Sequence, residues 1–276
     1  STKTTLINSG IFSKDNYSFK NIYYGVREHA MGGISNGLAL SGLTPFASTF
    51  LAFSDYLKPS IRMSALMNLP VTYVFTHDSV TIGSDGATHQ PVEQLSDLRN
   101  IPNLIVFRPA DTNELIGSWE YILNKKGPSA IVLSRNSTKE LELSNPKEIE
   151  KGAYIVKKEL NKLDGIIIAT GEQVGIAVAI AKELELEKIN LRVVSMPCVS
   201  LFEDTDLEYQ ESIIPVGYKR IVIEFASSNG WHKYVYGDKY LITLDSFGAS
   251  GSKDAVLSHL KLDYASIKNK IKTALK

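Results

Sequence analysis

A single cysteine, Cys198, occurs among the 276 residues, so no internal disulfide framework is available and the chain suits a reducing compartment. Neither sign of charge is in excess: 30 Lys plus Arg balance 30 Asp plus Glu. That balance offers no basic groove for nucleic acid and no attraction to an acidic membrane, so neither is expected as a partner. No apolar run approaches the roughly 20 residues that a bilayer-crossing helix requires. The amino end, STKTTLINSG, is polar and has no apolar signal core. It also has no Met, from which we expect the sequence to begin inside a longer chain. A soluble, cytoplasmic protein is therefore the expectation, with an organelle as the other option.

The composition is 43% hydrophobic, ample for a packed core, and the length favours two domains. The first half alternates apolar runs with helical patterns. NIYYG (21–25), TPFASTFLAF, VTYVFT, NLIVFRP and SAIVLSR read as extended. REHAMGGISNGLALSG reads as a helix with Ala30, Met31, Ile34 and Leu38 on its apolar face. SDYLKPSIRMSALMNL is a further helix, PVEQLSDLRN one with Pro in its first turn, and DTNELIGSWEYILNKK one that starts at an Asp cap. A polar linker, NSTKELELSNPKEIEK (136–151), follows. The alternation then restarts: strands at GIIIATG, LRVVSMP, KRIVIEF and KYLITLD, and helices at EQVGIAVAIAKELELEK, SKDAVLSHLKL and DYASIKNKIKTALK. Strands separated by helices imply parallel sheets covered on both faces. No internal repeat or low-complexity tract is visible, and two domains divided near residue 145 are expected.

The stretch FTHDSVTIGSDGATHQP (75–91) stands out, with two of the five histidines on one loop behind an apolar strand. Ligands of open parallel sheets bind beyond the carboxyl ends of strands, where His77 and Asp78 fall. Gly83 and Gly86 permit turns that bring His89 back over the same place. Zinc wants close-spaced ligand pairs, and neither histidine has a His or Cys three to five residues away, so no metal site is expected here. A plainer reading makes these solvated loop residues, with Asp78 or Asp85 capping a turn. Glu28, after a strand and at a helix start, reads either as a partner of the helix dipole or as a partly buried carboxyl able to share a proton with a ligand. Phe50, Phe53 and Tyr56, spaced by three, form either a core stripe or a stacking platform for a planar heterocycle.

Taken together, these segments resemble transketolase. GVREHAMGGISNGLAL, STFLAFSDY, THDS, DGATHQPVEQLSDLR, PNLIVFRPAD and SAIVLSRN occur in that family's order and approximate spacing. IIIATGEQV, RVVSMP and FGASG follow in the second half, so the resemblance covers nearly the whole chain. It implies an α/β fold of two doubly wound parallel-sheet domains: a thiamine diphosphate pyrimidine-binding domain over 1–140 and a transketolase C-terminal domain over 141–276. The family's first domain, which binds the diphosphate and a divalent metal (Mg2+ or Ca2+), has no match in this sequence. The resemblance thus implies one subunit of a split enzyme, or a fragment, working with a diphosphate-binding domain or subunit in a homo-oligomer of the complex.

The family's residue roles follow from the same resemblance. Glu28 would hydrogen-bond the pyrimidine ring nitrogen and favour the tautomer in which the exocyclic amine acts as base. Phe50, Phe53 and Tyr56 would hold the ring. His77 and His89 would face the substrate and assist proton transfer, and Asp85 would bind a sugar hydroxyl. Arg135 would bind the sugar phosphate, with Ser1 as a further phosphate contact. The implied reaction moves a two-carbon ketol unit from a ketose phosphate to an aldose phosphate, in the pentose phosphate pathway. Ala87 and Ser84 stand where the family usually has Pro and Glu, which leaves the loop backbone freer. 1-Deoxyxylulose-5-phosphate synthase shares much of the loop but carries Asp-Arg in place of THDS and Ala-Glu-Gln-His in place of VREHA. 2-Oxoacid dehydrogenase beta subunits lack GATHQP followed by VEQLSDLR. Dihydroxyacetone synthase is a transketolase variant that the motifs leave open, and a non-catalytic partner subunit is the alternative of a different class. His29, His232, His259 and Cys198 receive no role.

Overall fold

The computed structural model describes residues 4–276. Two sheets organise them. In the first, β1 (Phe46–Phe50), β2 (Thr72–Thr76), β3 (Ile105–Phe107) and β4 (Ser129–Val132) run parallel in the order β1-β2-β4-β3. In the second, β5 (Tyr154–Lys157), β6 (Gly165–Ala169), β7 (Leu191–Ser195), β8 (Lys219–Ile223) and β9 (Leu241–Ile242) lie in the order β5-β7-β6-β8-β9. All pairs there are parallel except that of the edge strand β5 with β7. Helices α1 (Glu28–Leu40), α2 (Ser54–Leu66), α3 (Gln94–Arg99) and α4 (Thr112–Lys125) accompany the first sheet. The second has α5 (Gln173–Leu186), α6 (Val199–Glu203), α7 (Leu207–Ile213), α8 (Lys253–His259) and α9 (Tyr264–Leu275). The chain is α/β with two parallel-dominated sheets, as the alternation of patterns implies.

The strongest sequence signals become the innermost elements. β4 and β6 are buried along their whole length, and β2 over all but its last residue. A parallel strand covered on both faces needs this continuous apolar run. α4 begins where expected, with Asp111 Oδ1 accepting the Glu114 N–H at 3.0 Å. Asp111 Oδ2 also accepts the Leu141 N–H at 2.9 Å, so the cap pins the linker too.

Other elements differ from expectation. Residues 21–25 form no strand: Asn21 makes one isolated bridge to Ile11, and its side chain stitches Leu6 and Ser9 into a loop. α1 turns its small-residue face inward, burying Gly32, Ser35, Asn36 and Ala39 beside Met31, while Ala30 and Ile34 lie exposed. Close helix packing is the cause: a side chain on Gly32 would come within 2.6 Å of Ser60 Cβ, and Asn36 donates to the Ser60 carbonyl at 2.9 Å. α3 starts three residues after Pro91, where Gln94 takes the Val92 N–H on its own side-chain oxygen at 2.9 Å. β5, α6 and α7 are too short to announce themselves by periodicity.

The two sheets share an interior. Val80, Phe107 and Ile131 belong to the same buried cluster as Ile167, Val222 and Ile223. Charge crosses this boundary as well. Arg108, fully buried after β3, donates Nε and Nη2 to Asp78 Oδ2 at 3.1 and 2.7 Å, and Nη1 to Thr170 Oγ1 at 3.1 Å. Nη1 also lies 3.3 Å from Glu224 Oε1. Glu224 accepts both Arg99 Nη atoms at 2.8 and 2.9 Å, the Thr170 hydroxyl at 2.6 Å and the Trp231 indole at 2.6 Å. Burial alone would raise this carboxyl, but the two guanidiniums and the donated hydrogen bonds hold it at about 2.

Glu114 sits on the same boundary without a cation. It accepts from Tyr154 Oη at 2.8 Å, Ser195 Oγ at 2.5 Å and the Ala110 N–H at 2.7 Å. Burial outweighs these bonds and lifts its carboxyl to about 7. A folded pKa above the unfolded one, roughly 4.3, contributes stability that is full below that value and lost as pH rises through about 7. Glu224 has the opposite sign: its contribution is full above roughly pH 4.3 and is lost as pH falls through about 2. Between about pH 5 and 8 we expect wild-type unfolding free energy to fall by up to about 3 kcal/mol from Glu114. Glu114→Gln, which cannot ionise, should flatten that slope in urea titrations; equal slopes in the two proteins would refute the assignment.

Candidate functional site

The parallel register sets the carboxyl ends of β1, β2 and β4 side by side, with Phe50 opposite Thr76 and Phe75 opposite Val132. Phe50 ends β1, and His77 follows β2 directly. His77 has φ of 62°, a left-handed conformation that a non-glycine residue adopts only at a cost on the order of 1 kcal/mol. There its ring stacks on Phe50, centroids 3.6 Å apart and planes at 24°, and Nδ1 lies 2.9 Å from Thr76 Oγ1. The next residue, Asp78, is buried against Arg108 and caps no turn.

Beyond Asp78 the loop folds back. A 3-10 turn over Val80–Asp85 contains Gly83 at φ 65°, and Gly86 follows at φ 77°. His89 then returns to the aromatic group, edge-on to Phe50 at 6.3 Å and to Phe53 at 5.3 Å. Phe50 and Phe53 stack at 5.8 Å, and Tyr56 leans on Phe53 at 6.2 Å. Five rings from β1, the start of α2 and both ends of the loop thus form one cluster.

The remaining candidates lie around it rather than in it. Glu28 opens α1 and is half-buried. α1 is fixed to α2 by Ser60 Oγ, which donates to the His29 carbonyl at 3.1 Å, one turn beyond Tyr56. Asp85 is exposed at the end of the 3-10 turn, and Arg135 is exposed three residues past β4. Among the described residues, Glu28, Asp85 and Arg135 make no side-chain hydrogen bond or ion pair. Ser1 lies outside the described residues.

The pieces fit one end of the implied cofactor. A stacked aromatic group suits a pyrimidine ring, whose faces it would hold, and a carboxyl group without a partner among the described residues, such as that of Glu28, could in its protonated form donate to a ring nitrogen. Among the described residues no cluster of three or more His, Cys, Asp or Glu side chains is placed to hold a metal ion. No helix among them is long and apolar enough to cross a membrane. Sequence reading missed Arg108 and Gln90. Arg108 had no local signal, because its partners come from three other strand ends. Gln90 had only its place beside His89.

Comparison with known proteins adds a consistent picture. The profile of the transketolase pyrimidine-binding domain matches residues 1–140, and that of the transketolase-like C-terminal domain matches 152–263. The chain is 43% identical to the transketolase of Bacillus subtilis (strain 168), covering 100% of itself and 42% of that protein. It is 43% identical to that of Aquifex aeolicus, covering 98% and 40%. It therefore spans about two fifths of the length of these relatives. Among solved structures, Pichia stipitis transketolase complexed with sedoheptulose 7-phosphate superposes with a TM-score of 0.93 at 35% identity, covering 100% of this chain and 41% of that one. A split-gene transketolase, described as an inactive beta4 tetramer, superposes with a TM-score of 0.77 at 25% identity, covering 92% and 84%.

The stacking is testable. In Phe50→Leu, the His77 ring-proton NMR signal should lose its ring-current shift, and stability should drop by about 0.5–1.5 kcal/mol beyond the loss of buried area. An unmoved His77 signal would mean that the two rings do not stack in solution.

Proposed function

The chain belongs to the transketolase family, and from that premise we propose that it forms the pyrimidine-binding side of a thiamine diphosphate-dependent ketol-transfer site. A diphosphate-binding domain or subunit, with Mg2+ or Ca2+, completes that site. The observation that carries this reading is the convergence of five rings at the carboxyl ends of β1 and β2. The domain boundary near residue 140, a dimer of the complex, a cytoplasmic location and a place in the pentose phosphate pathway belong to the same proposal.

When bound, thiamine diphosphate supplies a nucleophilic carbon that carries the two-carbon unit. The chain's own residues do the rest. Phe50, Phe53 and Tyr56 grip the pyrimidine ring and exclude water from one of its faces. The Glu28 carboxyl donates its proton to the ring nitrogen and so favours the tautomer in which the exocyclic amine acts as base. His77 and His89, kept at a fixed spacing by Phe50, bind substrate hydroxyls and move protons to and from them. Asp85 accepts from a sugar hydroxyl, and the guanidinium of Arg135 receives the phosphate as a two-pronged donor.

Val26, Ile7 and Tyr17 are 93%, 89% and 70% exposed, and Leu40 and Leu66 are also exposed, so the chain offers apolar side chains that a partner would cover. The split-gene relative described as inactive in its beta4 form fits a division into two halves.

Mixed with a transketolase diphosphate-binding domain, Mg2+ and thiamine diphosphate, the chain should transfer ketol units, and alone it should not. Glu28→Ala should abolish turnover in the mixture while far- and near-UV circular dichroism stay unchanged. Turnover by the chain alone, or full activity in Glu28→Ala, would reject the proposal. Arg135→Ala should weaken phosphorylated sugars by about 1–3 kcal/mol, read as a raised KM with kcat less affected. A KM equal to that of the wild type for both donor and acceptor would remove Arg135 from the phosphate site.

A further inference from the structure

The loop that carries His77, Asp85 and His89 has a second side, packed against the segment Phe247–Gly251 that follows β9 in the second sheet unit. The approach is so close that glycines are required on both sides. A side chain on Gly83 would come within 2.8 Å of the Lys253 backbone N and 3.0 Å of the Gly251 carbonyl O. One on Gly86 would meet Ser250 Oγ, and one on Gly248 would overlap the Gln90 amide oxygen. Because both Gly83 and Gly86 have positive φ, any L side chain there is also strained.

One side chain bridges the two segments. Gln90 is 3% exposed, and its Nε2 donates to the Gly83 carbonyl at 3.0 Å and to the Ala249 carbonyl at 2.9 Å. An amide nitrogen carries two hydrogens, so one bond closes the histidine loop on itself and the other ties it to the far sheet unit. Without this donor both carbonyls would lose a hydrogen bond in a buried setting. The residue before Gln90 is His89. Its ring is held on the other side by Phe53 and Phe50.

We propose that Gln90 is a positioning residue: it uses the Phe247–Gly251 segment as a fixed abutment to set the place of the His89 ring. The carboxyl-terminal unit thereby contributes to the site without touching it. The inference rests on the reading of His89 as a substrate-facing group.

The test uses the full chain and two variants that attack the bridge from opposite sides. Gln90→Met keeps length and volume but removes the donor; Gly248→Ala pushes on the Gln90 amide from the second unit. Both should shift or broaden the His89 ring-proton signal, identified by its loss in His89→Asn, and should speed amide exchange over 80–90 relative to the β6 core. In the reconstituted complex both should lower kcat at least about tenfold, with the affinity for thiamine diphosphate unchanged. A purely structural role would lower the melting temperature and leave the His89 signal of the folded protein in place, which would overturn the proposal. Should Gln90→Met fail to fold, Gly248→Ala decides. If the wild-type complex shows no ketol transfer, the functional reading falls, and the His89 signal alone decides whether Gln90 positions it.

Discussion

Arg108 is the constraint on which the arrangement turns. Its guanidinium is wholly buried, and its partners sit just past the ends of three strands: Asp78 after β2, Thr170 after β6, Glu224 after β8. Apolar contact between the sheet units is non-directional and would tolerate sliding. A planar fork of donors does not, because each nitrogen must meet its own acceptor. With Arg99 added, two guanidiniums face two carboxylates, so opposite charges are matched within this cluster. Such a network gives little net stability compared with an apolar filling, but losing one member strands a buried charge. Its physical consequence is one permitted docking of sheet on sheet. Burial alone would discharge the Arg108 guanidinium more easily, yet Asp78 and Glu224 raise its pKa above the ordinary value and keep it cationic.

That docking reaches the candidate site through one peptide bond. Asp78 is held by Arg108, so the residue before it must leave β2 in the direction that remains. His77 does so with a left-handed backbone, and its ring lands on Phe50. The strain of that conformation is offset locally by the stacking and by the Asp78 anchor. The far end of the same loop is anchored at Gln90, again against the second sheet unit. The loop is therefore a span held at both ends by one interface, with its two histidines beside the two anchors.

Much of this was legible in the sequence and much was not, for separable reasons. β2, β4, β6 and β7 were readable because strands buried on both faces have no polar alternation to confuse. α4 was readable because Asp111 marks its start with a side-chain cap. The apolar face of α1 was misjudged because helical periodicity reports hydrophobicity, whereas close packing on α2 selected small residues such as Gly32 and Ser35. The rings of Phe50, Phe53 and Tyr56 could be grouped by spacing, but their meeting with His77 and His89 depends on sheet register, which no local pattern encodes. The Arg108 and Gln90 bridges join residues up to 159 positions apart, and each looks like an ordinary loop residue in its own neighbourhood.

The chain keeps an apolar interior and threads a directional polar network through it. The buried boundary between its sheet units is rich in charge and hydrogen bonds, while bare apolar side chains lie outside, at Ile7, Val26 and Leu66. The two kinds of contact have different uses. A charged, directional boundary sets geometry and is formed once, during folding. An apolar outer surface supplies free energy in proportion to the area covered, roughly 25 cal/mol per Å2, with little demand on orientation. If a second polypeptide binds there, its orientation must come from elsewhere, and the rigid rim of β1, β2 and β4 ends is the available template. The accuracy of a composite site would then be set inside this chain, by Arg108 and Gln90, before any partner arrives.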